Sequence, residues 1–214
     1  MAAKPAPSRR RVLIAAACVL AAAAAAGGYL IYRKVFQLRR FHTLVPGQLY
    51  HSRQPSGPQY AVIQRRGLKR IINLRHRDED PPAFDNERRL CQAAGVDFVN
   101  VAVNTAVPTE EHIAGFLRAV RSRPGPVLWH CEHGRQRTFF MRAVWRIVMD
   151  NCPAGEAIAE IHSHNAHPKE ADRWSGFQEA LKGVEASRAA WRARTAPEAA
   201  TTRPQTRPSS PAGS

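Results

Sequence analysis

Three short apolar stretches, LKRIINL (68–74), VDFVNVAV (96–103) and PVLWH (126–130), alternate with segments of helical character, and this rhythm most constrains the fold. Each reads as a buried strand. An acidic loop and helix, DEDPPAFDNERRLCQAAG (78–95), stopped by Gly95, separates the first two. Pro108 and Thr109 open the next helix, with Thr109 as its cap, and it runs to about Ser122. Upstream, QYAVIQRRG (59–67) reads as a short amphipathic helix ended by Gly67, after a turn-rich stretch with one extended piece at 48–51. Downstream, helices are expected over 135–150, 154–164 and 172–193, and Trp129, Trp145 and Trp174 are assigned to the core. Strands separated by helices at this spacing predict the α/β class. The expectation is a single compact domain over 41–185, with a mainly parallel central sheet flanked by helices.

The formal net charge of +15 suggests a nucleic-acid or membrane partner until it is divided by region. Residues 1–40 hold eight Lys/Arg and no acid, and residues 186–214 hold five Arg and one Glu. That leaves 19 basic against 16 acidic residues in 41–185, so the central domain is nearly balanced and a nucleic-acid surface on it is not supported. The run from Val12 to Tyr32 carries no charge over 21 residues. As a helix it would be about 31 Å long, matching a bilayer's hydrocarbon thickness. The run continues as YLIY past Gly27 and Gly28 and is closed by Arg33 and Lys34. It is therefore read as a single-pass N-terminal membrane anchor in preference to a cleaved export signal. Four basic residues on each flank leave its orientation open. At the other end, residues after about 195 lack aromatics, are rich in Pro, Thr and Ser, and are expected to be disordered.

Four cysteines, Cys18, Cys91, Cys131 and Cys152, do not form a disulfide framework. Cys18 falls inside the apolar run and reads as a membrane-buried thiol. Cys131 is different. It stands where the strand PVLWH ends, followed by CEHGRQ and then an apolar helix, RTFFMRAVWRIVM. In an open α/β sheet, ligands bind at the carboxyl ends of strands, where the next helix presents unpaired N–H groups. Such a loop wraps a tetrahedral oxyanion with its amides, and Gly134 permits the close approach this needs. Arg137, in the first helical turn, offers a bidentate fork to two oxygens. The same N–H groups and guanidinium stabilise negative charge on Cys131 and favour the thiolate. A nucleophile and an anion cradle coincide, which is the arrangement phosphoryl transfer requires.

On His130, Cys131, Gly134, Arg137 and Thr138 the chain resembles the cysteine-dependent phosphatases of the protein tyrosine and dual-specificity type, with signature H-C-x5-R-[ST]. The likeness extends through LYHSRQP (49–55), INLR (72–75) and PTEEHIAGFL (108–117) to the compact atypical members, including membrane-anchored bacterial ones. The resemblance implies that Cys131 attacks phosphorus and that water hydrolyses the resulting thiophosphate. It implies that Arg137 holds the phosphate with the loop residues Glu132, His133, Gly134, Arg135, Gln136 and Thr138. Thr138 would assist the sulfur in leaving, and His130 would support the loop from outside the substrate. No metal and no cofactor are implied. The implied partners are a phosphorylated protein, or a phosphorylated small molecule or lipid, acted on by a monomer at the membrane.

Two positions depart from the family pattern. Phe139 stands where glycine is usual, and Asn104 where many relatives place the aspartate that protonates the leaving oxygen. Glu110, Glu111, His112, Glu132 and the acidic loop 78–80 are substitutes by proximity alone, and none is assigned that role. The departures motivate a second reading, a pseudophosphatase that captures phosphorylated partners. A sulfur-transfer loop of rhodanese type ranks lower, because it does not require the Arg-Thr ending. His130, Cys131 and His133 are too tightly bunched to converge on a metal, and His162, His164 and His167 read as a solvated cluster at a helix end. Arg135 is either a solvated helix-start residue or a second cation suited to polyphosphorylated ligands.

Overall fold

A computed structural model describes residues 9–122 and 125–197. The expected disordered tail lies almost wholly outside the described residues. Five strands form one sheet in the order β1-β2-β5-β3-β4, with β1 His42–Val45, β2 Leu49–Arg53, β3 Arg70–Asn73, β4 Asp97–Asn100 and β5 Val127–Cys131. The β1–β2 pair is antiparallel and the other three pairs are parallel, as the alternating pattern predicted. The α-helices among the described residues are α1 Arg9–Phe36, α2 Gln59–Arg65, α3 Pro81–Ala93, α4 Glu110–Arg121, α5 Gln136–Met149, α6 Ala154–Ser163, α7 Ala171–Ala186 and α8 Arg188–Arg194. It is an α/β fold with one mixed, mainly parallel sheet accompanied by helices.

Two compact units are distinguished along the chain, one holding the described residues up to Ala102 together with Gly125–Thr138, the other Val103–Ser122 and the described residues from Phe139 onward. The first contains the whole sheet. All five residues of β5 are buried, as a strand covered on both faces must be. Tyr60 and Ile63 of α2 and Cys91 of α3 pack with Leu68, Ile71, Val96 and Leu128 into an apolar cluster. Helix α3 starts where Asp80 accepts a hydrogen bond from the Ala83 N–H at 3.2 Å, with Pro81 and Pro82 in its first turn. In the second unit, Thr109 caps α4 by accepting from the His112 N–H, and His112 returns the contact through Nδ1 to the Thr109 N–H at 3.1 Å. Phe140 meets Phe177 edge to face at 4.8 Å. Arg121 donates to Thr195 Oγ1 at 2.8 Å, which ties α4 to the end of α8.

Four sequence expectations need correction. The strand β1 was not anticipated, because an edge strand with no fully buried residue leaves no apolar run to read. The helix expected over 172–193 is two helices, broken at Ser187, whose φ of −106° and ψ of 17° leave the helical region. Apolar spacing carries through that break and so hides it. Of the three tryptophans assigned to the core, only Trp129 is fully buried; Trp145 and Trp174 are half-buried, and Trp191 of α8 is a core residue instead. Strand β5 extends one residue further than expected and includes Cys131.

Helix α1 spans 28 residues with no buried side chain, and an 18-residue window of it has a mean hydropathy of 2.1. It is long and apolar enough to cross a membrane, a property that an N-terminal signal sequence shares. The helix passes through Gly27 and Gly28 without interruption.

Candidate active site

Parallel pairing brings the carboxyl ends of β2, β3 and β5 side by side, with Arg53 opposite Cys131 and Asn73 opposite His130. This is the edge at which an α/β sheet presents its ligand site. The chain leaves β5 at Cys131 and enters α5 at Gln136, so residues 132–135 form a tight loop over that edge. The loop is pinned by the Gln54 N–H, which donates to the Cys131 carbonyl at 3.0 Å. Gly134 has φ +62°, and a Cβ there would lie 2.5 Å from the Arg53 nitrogen and 2.7 Å from the Ser52 carbonyl carbon. Only glycine fits that approach.

Cys131 is 4% exposed. The Thr138 hydroxyl donates to its sulfur at 3.0 Å and accepts from its backbone N–H at 2.9 Å. One hydroxyl thus closes the loop from the first turn of α5 and points its proton at the thiol. The Trp129 indole donates to the Thr138 carbonyl at 3.1 Å, fixing that turn on the strand.

The Arg137 guanidinium grips Glu79 of the 3₁₀ turn Arg77–Glu79, NH1 to Oε1 at 2.5 Å and NH2 to Oε2 at 2.9 Å. NH1 also donates to the Leu74 carbonyl at 3.3 Å, so the arginine head is held from both the residue that follows β3 and the acidic loop. Burial works against ionising Glu79. Hydrogen bonds from Arg137, the His76 N–H and Arg75 more than offset it and hold the carboxyl at about 2. Burial likewise disfavours the charge on Arg137, but Glu79 and the neighbouring Cys131 more than restore it, and its pKa is raised. A carboxyl held that low is ionised at neutral pH, so the acidic loop supplies no proton donor through Glu79.

Beneath the loop lies a buried polar hub. His130 Nε2 pairs with Glu87 Oε1 at 2.6 Å, the two side chains being 0% and 2% exposed. Glu87 Oε2 accepts from Gln54 Nε2 and Asn73 Nδ2, each at 2.9 Å. Asn73 Oδ1 in turn accepts from the Arg75 N–H at 2.7 Å. Strands β2, β3 and β5 are therefore tied to α3 through one carboxylate. The sequence reading did not single out Glu87, yet a signal was there. It shares a helical face with Phe84 and Cys91, and an acid at a core position of an amphipathic helix has a polar task.

The remaining expected site residues divide clearly. Gly134 and Thr138 are buried, Gln136 is half-buried, and His133 and Arg135 are exposed. Half-buried Glu132 lies 3.6 Å from the exposed His133. These side chains differ in exposure, whereas the loop backbone is common to all of them. Asn104 is exposed in the stretch between β4 and α4 and belongs to the second unit, as do Glu110, Glu111 and His112. Phe139 is buried at 2% exposure and packs at a tilt against His164 in that unit, ring centroids 4.9 Å apart, so the departure from glycine serves packing. Among the described residues no cluster of three or more His, Cys, Asp or Glu is placed to hold a metal. His162 instead stacks on His167, and His167 leans on Trp174.

Comparison with known proteins gives this geometry a family. The family described as DSP-PTPase phosphatase fused to NAD+ kinase matches residues 46–179. The beta-lactamase hydrolase-like protein of Xylella fastidiosa is 32% identical over 125 residues, 58% of this chain and 29% of the relative. The dual specificity protein phosphatase TpbA of Pseudomonas aeruginosa is 28% identical over 115 residues, 53% of this chain and 49% of the relative. The chain spans less than half the length of these curated relatives. Among solved structures, P. aeruginosa TpbA has a TM-score of 0.58 at 22% identity, covering 71% of this chain and 91% of that one. The core catalytic domain of the PP-IP phosphatase SIW14 from S. cerevisiae has a TM-score of 0.56 at 21% identity, covering 73% and 96%. At such identities the structural likeness speaks for the fold alone. Because the family match covers more than half of the chain and takes in the whole of the cysteine loop, this protein belongs to the DSP-PTPase family of cysteine-dependent phosphatases.

Proposed function

We propose that the protein hydrolyses phosphate monoesters in two steps with Cys131 as nucleophile. The Cys131 thiolate attacks phosphorus, the S–P bond forms as the P–O ester bond breaks, and the ester oxygen leaves as its anion, to be protonated by water. Water then attacks the phosphocysteine, inorganic phosphate departs, and the thiolate returns. Arg137 and the amides of 132–137 stabilise the equatorial oxygens in both transition states. The observation that carries this reading is the single Thr138 hydroxyl, which donates to the Cys131 sulfur at 3.0 Å and is positioned to stabilise that sulfur as it leaves. Glu79 keeps the Arg137 head in place from outside the phosphate position, and His130 with Glu87 supports the loop from below. With Asn104 at the expected acid position, substrates whose leaving oxygen needs little protonation suit the site best. The proposed substrates are a phosphoprotein, or a phosphorylated small molecule or lipid, and α1 is proposed to hold the enzyme at a membrane.

The test is release of phosphate from an aryl phosphate by the full chain in detergent micelles, beside Cys131→Ser. Turnover that disappears in Cys131→Ser supports the enzyme. Asn104 favours the alternative of a phosphate-ester binder, and tight binding without turnover in the wild type would establish it. Persulfide formation from thiosulfate would point to sulfur transfer instead.

A further inference from the structure

Next to the cysteine loop lies a cleft of about 600 Å³ whose charged lining is entirely basic: Arg33, Lys34, Arg39, Arg40 and Arg53. These residues come from three places in the chain. Arg33 and Lys34 belong to the last turn of α1, Arg39 and Arg40 follow it, and Arg53 ends β2. Charge at the end of an apolar helix is ordinary for a membrane flank. Arg53 has no such explanation, since it sits inside the sheet as the register partner of Cys131.

The cleft and the cysteine loop share a wall. The Arg53 N–H donates to the Arg39 carbonyl at 3.0 Å, tying residues 39–40 to the strand end. On the other side, Gly134 presses against the same Arg53 backbone. No ion pair with a carboxylate engages Arg39, Arg40 or Arg53 among the described residues. Arg40 adopts φ 51°, a left-handed conformation that a residue with a Cβ takes at some cost. Its charged form is disfavoured first by burial and then by Arg135, Arg53 and Arg39, while Cys131 works the other way. Basic side chains from three places in the chain, 39–40, 53 and 135, thus gather beside the nucleophile, Arg39, Arg40 and Arg135 exposed and Arg53 half-buried. An anion in the cleft would relieve the repulsion among them.

We propose that this cleft is a second-anion subsite, so that the substrate carries at least two phosphate groups, one in the 131–137 loop and another held by Arg39, Arg40 and Arg53. The proposal rests on the phosphatase reading and narrows its substrate to a multiply phosphorylated polyol. That chemistry has two sources, a soluble inositol polyphosphate or the headgroup of a phosphoinositide, because Arg33 and Lys34 place one end of the cleft where α1 ceases to be apolar.

The experiment uses the full chain in phosphatidylcholine nanodiscs and three substrates: an aryl phosphate, inositol hexakisphosphate, and phosphatidylinositol bisphosphate in the same bilayer. The readout is kcat/KM for each multiply phosphorylated substrate relative to the aryl phosphate. Each charge-assisted contact supplies a tenfold factor or more, so the ratio should fall about tenfold to a hundredfold in Arg39→Gln/Arg40→Gln. Arg39→Lys/Arg40→Lys should recover most of it, and thermal melts of both variants separate this effect from misfolding. The substrate that keeps the preference identifies the source. An equal ratio in the wild type and the Gln variant overturns the subsite. If no substrate is turned over, the catalytic reading falls instead. The subsite is then read by calorimetric binding of inositol hexakisphosphate to Cys131→Ser with and without the Gln pair, and equal affinities overturn it.

Discussion

Gly134→Ala tests the closeness of the cysteine loop to the sheet edge. The native φ of +62° is left-handed, and an alanine there costs about 1–2 kcal/mol. The added methyl would also lie 2.5 Å from the Arg53 nitrogen and 2.7 Å from the Ser52 carbonyl carbon and oxygen. Those are backbone atoms of β2, which pairs on both sides with β1 and β5 and so cannot step aside. The loop must retreat by roughly an ångström, stretching the Gln54 N–H to Cys131 carbonyl bond, and forced overpacking of this kind costs about 1–3 kcal/mol. Together the two effects come to about 2–5 kcal/mol, a fall in Tm of about 5–15 °C for a domain of this size. A displacement of that size at a reacting centre slows catalysis by about a hundredfold. The assay is a thermal melt together with kcat/KM on an aryl phosphate. Gly183→Ala serves as the control, because its methyl would meet open space inside α7 and should stabilise by about 0.5–1 kcal/mol. A Gly134→Ala protein that melts with the wild type and retains its turnover would refute the close approach and the cradle argued from it.

Three further outcomes are expected. Thr138→Val removes the proton aimed at sulfur, so an aryl phosphate should give a burst of one product per enzyme followed by turnover slowed about tenfold to a hundredfold; rapid-quench kinetics without a burst would count against it. Glu87→Ala strands the partners His130, Gln54 and Asn73 in a buried hub, and at about 1 kcal/mol or more each it should cost about 3 kcal/mol in urea unfolding, with Glu87→Gln costing less than half of that. Glu79 has its folded pKa depressed to about 2 from 4.5, so its contribution to stability is complete above pH 4.5 and lost as pH falls towards 2. Unfolding at pH 6 and pH 3 should therefore show a smaller acid-induced loss in Glu79→Gln than in the wild type.

Much of the site could be read locally. The strand PVLWH, a glycine three residues after Cys131 and an arginine six residues after it define a loop and a helix start whose chemistry depends on neighbours in sequence. The Thr138 hydroxyl meets the thiol at 3.0 Å, the contact that the family resemblance implied. The supports could not be read that way. Glu79 reaches Arg137 across 58 residues, and Glu87 reaches His130 across 43. Spacing carries no information about such pairs until the strands are in register.

Local periodicity and hydrogen-bonding preference act within a few residues, so the sequence by itself determined the α/β class, the strand–loop–helix around Cys131 and the apolar N-terminal helix. Only the tertiary structure decided that Glu79 holds Arg137, that Glu87 underpins the loop, and that Arg53 faces the nucleophile beside Arg39 and Arg40. Those relations come from parallel strand pairing, which joins segments that are distant in the chain, and the energy that fixes them appears only when the sheet closes.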